Sequence, residues 1–137
     1  MSFDPTRDYP LGSERPDLVS TLGGTLLADV TLEAVRSERI SARDARATPE
    51  TLRRQAAVAS AAGRQPLAES LERAAELALV PDGELLEIYT SLRPRRSTTA
   101  QLEAWAARLE GYGAVQTAAF VREAAAVYEQ RGLLADA

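Results

Sequence analysis

The residues that mark the starts and ends of helices are the feature that most constrains the fold of this chain. From residue 48 onward, apolar residues recur at spacings of three and four, and each such stretch is bounded by a capping residue, a proline or a glycine. No stretch of useful length alternates between apolar and polar residues, as a half-buried strand would. Alanine supplies 26 of the 137 residues, so the helices can approach one another closely. The sequence therefore predicts an all-α fold, a small bundle of short helices with an extended N-terminal arm.

Local signals place the helix ends. Thr48 followed by Pro49 indicates a helix start, Asp82 can cap the helix that follows Pro81, and Thr98 with Gln101 matches a capping box. Glycine just past a helix favours the turn that ends it. The expected elements are a short helix capped by Thr31 that ends near Arg39, a turn over 41–46, and helices over Thr48–Gly63, Gln65–Leu79, Asp82–Pro94, Thr98–Gly111 and Ala114–Arg131.

Each helical stretch carries an apolar row that we expect to face the core. The expected rows are Leu52, Ala56 and Ala59; Leu67, Leu71, Ala74, Ala75 and Ala78; Leu85, Ile88, Tyr89 and Leu92; Leu102, Trp105, Ala106 and Leu109; and, on the last helix, Phe120, Ala124 and Val127 beside Val121, Ala125 and Tyr128.

The first thirty residues differ from the rest. Prolines and glycines interrupt them, and no helical stripe runs through them, yet they contain large apolar residues. About thirty residues without regular structure are unusual inside a compact domain, and such a segment more often lies along something else. We therefore expect residues 1–30 to form an extended docking arm and residues 31–137 a helical domain; a loosely tethered arm is the alternative. Tyr9, Pro10 and Leu11 form the densest apolar point of the arm.

Missing residue types exclude most catalytic chemistry. The chain has no His, Cys or Lys, and all 16 of its basic residues are arginine. It therefore cannot form a Ser-His-Asp triad, a thiolate nucleophile, a Schiff base or a thiol zinc site. The net charge is −4 and the pI is near 4.9, which disfavours nucleic acid and anionic membranes as partners. We expect no catalytic, cofactor-binding or metal-binding residues in this chain.

The carboxylate pairs and the paired glycines are explained by a solvated surface and by a turn, without a functional site. Glu84 with Glu87 shares a helix face, but an acid–base role would also need a desolvated cleft, so we interpret the pair as part of a solvated surface. The same holds for Glu72 with Glu76. Gly111 and Gly113 lack the strand and third glycine of a dinucleotide site, and they indicate a turn between helices.

Positive charge is concentrated just before a helix start, at Arg93, Arg95 and Arg96. Backbone donors at a helix start favour an anion, so phosphate binding is one interpretation. A solvated loop, an ion pair with another helix and contact with an acidic partner surface are the others.

Beyond these local patterns, the order of motifs resembles a known family. The motifs are Asp8-Tyr9-Pro10-Leu11, Thr31-Leu32-Glu33, Thr48-Pro49-Glu50-Thr51-Leu52-Arg53, Arg73-Ala74-Ala75-Glu76-Leu77, Val80-Pro81-Asp82, Leu86-Glu87-Ile88-Tyr89, Leu92-Arg93-Pro94, Arg96-Ser97-Thr98 and Ala118-Ala119-Phe120-Val121-Arg122-Glu123-Ala124. In this order and spacing, from Asp8 to about Leu133, the chain resembles the small (gamma) subunit of the adenosylcobalamin-dependent diol and glycerol dehydratases.

The resemblance implies a role without catalytic residues of its own. In this family, large, medium and small subunits assemble in two copies each, and the complex is a lyase that converts 1,2-diols or glycerol to aldehydes with loss of water. The resemblance implies that the large and medium subunits bind adenosylcobalamin and that the small subunit docks on the large one. Tyr9, Pro10, Leu11, Arg93, Arg95 and Arg96 are then candidate interface residues. A non-catalytic helical adaptor is the alternative function.

Several residues depart from the family pattern. Thr90-Ser91-Leu92 stands where the family has asparagine-alanine-leucine before the Arg-Pro pair. Gly83, Glu84 and Gln101 replace residues of other charge, and we expect them at surface or capping positions. Only seven residues precede Asp8, whereas some family members carry a longer extension associated with bacterial microcompartments. We expect a cytoplasmic location without such targeting by this chain, because the N-terminus also lacks the basic and apolar regions of a signal peptide. A bacterial microcompartment is the alternative, with the targeting signal on another subunit.

Overall fold

A computed structural model describes residues 2–136, and these residues are mostly helical. The α-helices are α1 (Leu11–Glu14), α2 (Leu32–Arg36), α3 (Pro49–Ala61), α4 (Gln65–Leu77), α5 (Asp82–Ser91), α6 (Thr99–Gly111) and α7 (Val115–Arg131). The described residues contain no strand, and a single antiparallel bridge joins Ser20 to Leu26. The expected all-α class is confirmed. No helix in this range is long and apolar enough to cross a bilayer.

Two compact units make up the chain, and they divide it at a different place from the expected boundary after residue 30. The first unit is Met1–Ala78 and the second is Leu79–Ala137. The N-terminal segment, residues 2–30, belongs to the first unit together with α3 and α4. It is also more regular than the sequence predicts, because α1 and two 3₁₀ turns, Pro16–Leu18 and Leu27–Asp29, lie within it.

In the first unit, α3 and α4 pack against each other as a hairpin. The Thr48 side chain accepts a hydrogen bond from the Thr51 amide at 3.2 Å, so the predicted helix start is confirmed. Gly63 has a φ of +73° in the turn after α3, a conformation that glycine adopts without strain. Apart from Pro49 at the start of α3, the buried side chains of the pair are alanines: Ala56, Ala59, Ala68 and Ala75.

Leu67 was expected to face the core, but the structure exposes it. The buried row of α4 begins one residue later, at Ala68, because the helix–helix contact uses small side chains on both partners. The helix also ends at Leu77, two residues before the expected end. Pro81 accounts for the early end in part, since it disfavours helical backbone at the residue before it.

In the second unit, α6 and α7 form another hairpin. Leu102, Leu109 and Val121 are its largest fully buried side chains. The Thr98–Gln101 capping box is present, and Gly132 ends α7 with a φ of +63°. Asp82 was expected to cap α5 but is instead its first helical residue, with Pro81 in the capping position and no side-chain cap.

Three aromatic or branched residues expected in apolar rows of this unit are exposed: Tyr89, Phe120 and Val127. On α7 the inward row is Val121 with Ala125, and Thr117 and Ala118 extend it toward the start of the helix. Phe120 and Val127 lie on the neighbouring row, so part of the large apolar surface of α7 stays in contact with solvent.

Candidate partner interface

Asp8 organises the turn that carries the first candidate contact residues. Asp8 is only 3% exposed, and its carboxylate accepts hydrogen bonds from three residues, including a long one from Arg7 Nη2 at 3.4 Å. The Asp4 amide donates at 2.9 Å, Arg7 Nε at 2.8 Å and Arg15 Nη1 at 3.1 Å. A buried carboxylate with charged donors on two sides fixes the backbone around it, because losing any donor would leave an uncompensated charge.

These donors change the titration of Asp8. The hydrogen bond from the Arg7 side chain, followed by that from the Asp4 amide, lowers the pKa of Asp8 from 3.8 to about 2. Arg15 also forms an ion pair with Asp17 at 2.8 Å, and this pair raises the pKa of Arg15 further above its ordinary value. The whole cluster is therefore charged at neutral pH.

The turn presents Tyr9 and Pro10 but not Leu11. The Tyr9–Pro10 peptide bond is cis, the Tyr9 residue is 59% exposed, and Pro10 is exposed beside it. Leu11, the first residue of α1, is only 6% exposed. Leu11 therefore supports the turn from inside, and of these three candidates only Tyr9 and Pro10 have surface to offer a partner. Their role in an interface stays a prediction.

Residues 18–25 are tied to the body of the first unit by side chains that follow later in the chain. Arg54 on α3 donates from Nη1 to the Leu18 carbonyl at 2.6 Å. Asp44 Oδ1 accepts from the Thr21 hydroxyl at 2.8 Å and the Gly23 amide at 3.2 Å. The other oxygen of Asp44 binds the amide and hydroxyl of Ser41, at 2.9 and 2.7 Å. The N-terminal segment is thus fastened to its own unit at several points.

The second candidate region is the arginine loop, residues 92–98. Its backbone pairs with the segment after α7: Arg95 N donates to the Leu133 carbonyl at 2.7 Å, and Ala135 N donates to the Ser97 carbonyl at 2.9 Å. Arg95 adopts a φ of +61°, the left-handed region. Arg93, Arg95 and Arg96 are all exposed. The loop is therefore held by its backbone while its three guanidinium groups extend from a fixed frame.

Two of the four interpretations of this loop lose support. The capping box at Thr98 and Gln101 already occupies donors at the start of α6, since Thr98 N donates to Gln101 Oε1 at 2.9 Å. Phosphate binding would compete with that cap. Within residues 2–136, no ion pair joins the three arginines to another helix. A solvated loop and contact with an acidic partner both agree with the geometry.

Glu84, expected at a surface position, is instead largely enclosed. Its side chain is 18% exposed, and Oε1 accepts from Arg108 Nη2 at 2.7 Å and from the Tyr112 hydroxyl at 2.9 Å. These contacts lower the pKa of Glu84, chiefly through Arg108, and raise that of Tyr112. Glu84 and Glu87 thus do not act as a pair. Gln101, by contrast, is a capping residue as expected.

Nothing in the described part of the chain forms a metal site. Between residues 2 and 136 no group of acidic side chains is arranged to hold an ion, and the sequence supplies neither His nor Cys. The feature that the sequence analysis missed is the surroundings of Trp105. This residue was expected in the core, but it is half-buried and lines two hollows of the surface. Helical spacing could not reveal this position, because Trp105 lies at the edge of the inward row.

Comparison with known proteins identifies relatives over nearly the whole chain. The family described as dehydratase small subunit matches residues 5–135. The propanediol dehydratase small subunit of Citrobacter freundii is 54% identical over 125 residues, which cover 90% of this chain and 73% of that protein. The propanediol dehydratase small subunit of Salmonella typhimurium LT2 is also 54% identical over 125 residues, covering 90% of this chain and 72% of that protein.

The Asp8 cluster generates a pH prediction. A carboxyl group with a lower pKa in the folded state stabilises the fold above pH 3.8, and this contribution is lost as the pH falls toward about 2. Asp8→Asn should therefore destabilise the chain at neutral pH and flatten the decline of its unfolding free energy between about pH 4 and about pH 2. Urea unfolding followed by circular dichroism measures both effects. Asp29→Asn, at an exposed site in the same unit, is the control, and equal behaviour of the two variants would contradict the assignment.

Proposed function

The chain belongs to the dehydratase small-subunit family, and from that premise we propose that it is the small subunit of a complex that dehydrates propane-1,2-diol or glycerol. The observation that carries this proposal is the 54% identity, over 90% of the chain, to two propanediol dehydratase small subunits. In the proposed reaction a 1,2-diol loses one molecule of water and becomes an aldehyde. The enzyme class of the complex is that of a lyase.

Within this complex, the chain has a supporting role. It has no His, Cys or Lys, and two of its enclosed carboxylates, Asp8 and Glu84, are already bound by arginine side chains. Such groups have little freedom to exchange protons with a substrate. We therefore assign assembly and stabilisation of the complex to this chain, and the chemistry to its partners. The isolated chain should be helical and inactive.

Adenosylcobalamin supplies radical chemistry to a dehydratase that binds it, and the residues of this chain do not fit that cofactor. The chain has no histidine that could ligate cobalt, and residues 2–136 hold no cluster of metal-ligating side chains. As the family resemblance implies, we propose that the large and medium subunits hold the cofactor. The proposed assembly contains two copies of each of the three subunits, and we propose that it is cytoplasmic.

Both candidate regions have surface available for the large subunit. Tyr9 and Pro10 extend from a turn that the Asp8 cluster holds rigid, so little entropy is lost when they bind. Arg93, Arg95 and Arg96 are exposed in a chain whose net charge is −4, which favours an acidic surface opposite them.

Co-expression tests the proposal directly. The full chain is produced with tagged large and untagged medium dehydratase subunits, and the purified material is assayed with propane-1,2-diol and with glycerol in the presence of adenosylcobalamin. We expect the chain to copurify through the tag, and aldehyde formation to depend on its partners. Failure of the wild-type chain to join the complex would contradict the proposal and favour an independent helical adaptor.

The arginine loop generates a salt-dependence prediction. Replacing Arg93, Arg95 and Arg96 together by alanine should weaken association with the complex and reduce its sensitivity to salt. Exposed ion pairs contribute about 0.2–1 kcal/mol each, so the combined loss for three of them should be roughly 0.6–3 kcal/mol. The affinity for the large and medium subunits is measured at several salt concentrations.

A matched control for the loop exists in the first unit. Arg36, Arg39 and Arg43 are also exposed, and their triple alanine variant removes the same number of charges from the same chain. If both triple variants change affinity and salt dependence equally, the effect reflects net charge, and the loop is solvated in the complex.

Substitutions at Tyr9 and Leu11 should affect binding and folding separately. Tyr9→Ala removes an exposed aromatic ring and should weaken association by about 1–2 kcal/mol while the fold is unchanged. Leu11→Ala empties a buried position and should lower the unfolding free energy by about 2–5 kcal/mol. Pull-down with tagged large subunit and urea unfolding of each variant measure the two effects. Unchanged affinity of the Tyr9 variant would exclude this turn from the interface.

A further inference from the structure

Trp105 is held in a fixed orientation at the surface of the second unit. Its Nε1 donates a hydrogen bond to the Ser91 hydroxyl at 3.0 Å, and the Arg108 guanidinium lies 5.7 Å from the centre of its ring. Arg108 is in turn paired with Glu84. The ring is therefore positioned from α5 through Ser91 and from α6 through Arg108 before any partner arrives.

A shallow hollow lies on each side of Trp105. One, of about 320 Å³, is lined by Leu86, Glu87, Thr90 and Ser91 as well as the tryptophan. The other, of about 210 Å³, is lined by Gln101, Ala104, Arg108 and the same tryptophan. The α6 residues are spaced by three and four, so they form one stripe of the helix, separate from the core row of Leu102, Ala106 and Leu109. We call this surface the Trp105 face.

The composition of the Trp105 face is that of an interface centre. Leu86 is 68% exposed, although it is a large apolar residue on a well-formed helix. Tryptophan and arginine are the residue types that contribute most binding energy when a partner excludes water from them. A tryptophan whose orientation is already fixed also loses little entropy on binding.

Charge at the edge of this face indicates the chemistry of its partner. The arginine loop joins α5 to α6, and from Ile88 to Leu102 the chain carries three arginines and no acidic residue. Of the side chains that line the hollows, Glu87 is acidic and Arg108 is basic, so the excess positive charge comes from the loop. An acidic surface is complementary to that edge.

We propose that the Trp105 face docks an acidic segment with apolar side chains, located on another subunit of the dehydratase complex. Apolar side chains of that segment fill the two hollows beside Trp105, while its carboxylates meet the arginine loop. This inference rests on the proposed function, because it takes the partner from the complex. It adds a position for the contact and makes Trp105 and Leu86 its centre.

A pair of matched substitutions tests the position. Leu86→Glu places a negative charge on the proposed face, and Val115→Glu places one at a comparably exposed site, 60% against 68%, in the same unit but outside either hollow. Each full-length variant is co-expressed with tagged large subunit and medium subunit, and its affinity for them is measured. We expect Leu86→Glu to weaken association at least tenfold and Val115→Glu less than twofold, with unchanged circular dichroism for both.

The single tryptophan of the chain supplies a readout that needs no substitution of the face. A chain made with 5-fluorotryptophan gives one ¹⁹F resonance, whose shift between H₂O and D₂O reports contact with solvent. In the complex with unlabelled partner subunits, this solvent shift should fall strongly. A shift that stays unchanged on assembly would overturn the proposal, whatever the folding state of the variants.

The outcomes separate the two proposals. If the wild-type chain does not join the complex, the proposed function fails. If the wild type joins, and both glutamate variants bind equally well or equally poorly, the Trp105 face is not the docking site. Sedimentation of the chain without partners tests a second copy as the occupant: a dimer that Leu86→Glu dissociates and Val115→Glu does not would also overturn the proposal.

Discussion

Alanine packing between paired helices is the constraint on which both units depend. In the first unit, Ala56, Ala59, Ala68 and Ala75 are buried on the paired helices α3 and α4. In the second, Ala106, Ala118 and Ala125 are buried on α6 and α7 together with Leu102, Leu109 and Val121. Alanine permits close approach and favours the helix, but each buried alanine removes little apolar area from water. The hairpins therefore gain less hydrophobic stabilisation than leucine-rich pairs would. Hydrogen bonds and ion pairs of a few polar side chains, here called polar anchors, hold the connecting segments in place.

Those polar anchors are carboxylates that bind donors from more than one segment. Asp8 holds the turn around Tyr9, Asp44 joins residues 21–23 to Ser41, and Glu84 joins α5 to Arg108 and Tyr112 on and after α6. An enclosed carboxylate is retained only when its donors stay in place, so each anchor defines one local geometry. Two of them contact surfaces that we assign to partner binding: Asp8 lies next to Tyr9 in its turn, and Glu84 is paired with Arg108 of the Trp105 face.

The predictability of the fold from sequence depended on how local each signal was. The caps at Thr48 and Thr98 and the glycine at 132 were predictable, because their hydrogen bonds or backbone angles involve residues only a few positions away. The rows that face the core were harder to predict. The core positions predicted for Leu67 and Phe120 were wrong, because an alanine-rich helix has a wide apolar arc and several rotations about the helix axis bury that arc equally well. The partners of Asp44 and Glu84 lie more than twenty residues away in the chain, and no pattern of spacing marks them. For the candidate site, the exposed Tyr9 and the three arginines were accessible to sequence reasoning, whereas the surface position of Trp105 follows only from the fold.

Asp44 has a consequence for the internal motions of the first unit. One carboxylate accepts the amide of Gly23 through one oxygen and the amide of Ser41 through the other. Neither amide can exchange its proton with solvent unless its hydrogen bond to Asp44 breaks or the segment that contains the amide opens. Hydrogen exchange at these two amides, eighteen positions apart in the sequence, is therefore coupled through the Asp44 side chain. The loops around residues 21–25 and 41–46 therefore share one opening event, the release of Asp44, although α2 lies between them in the sequence.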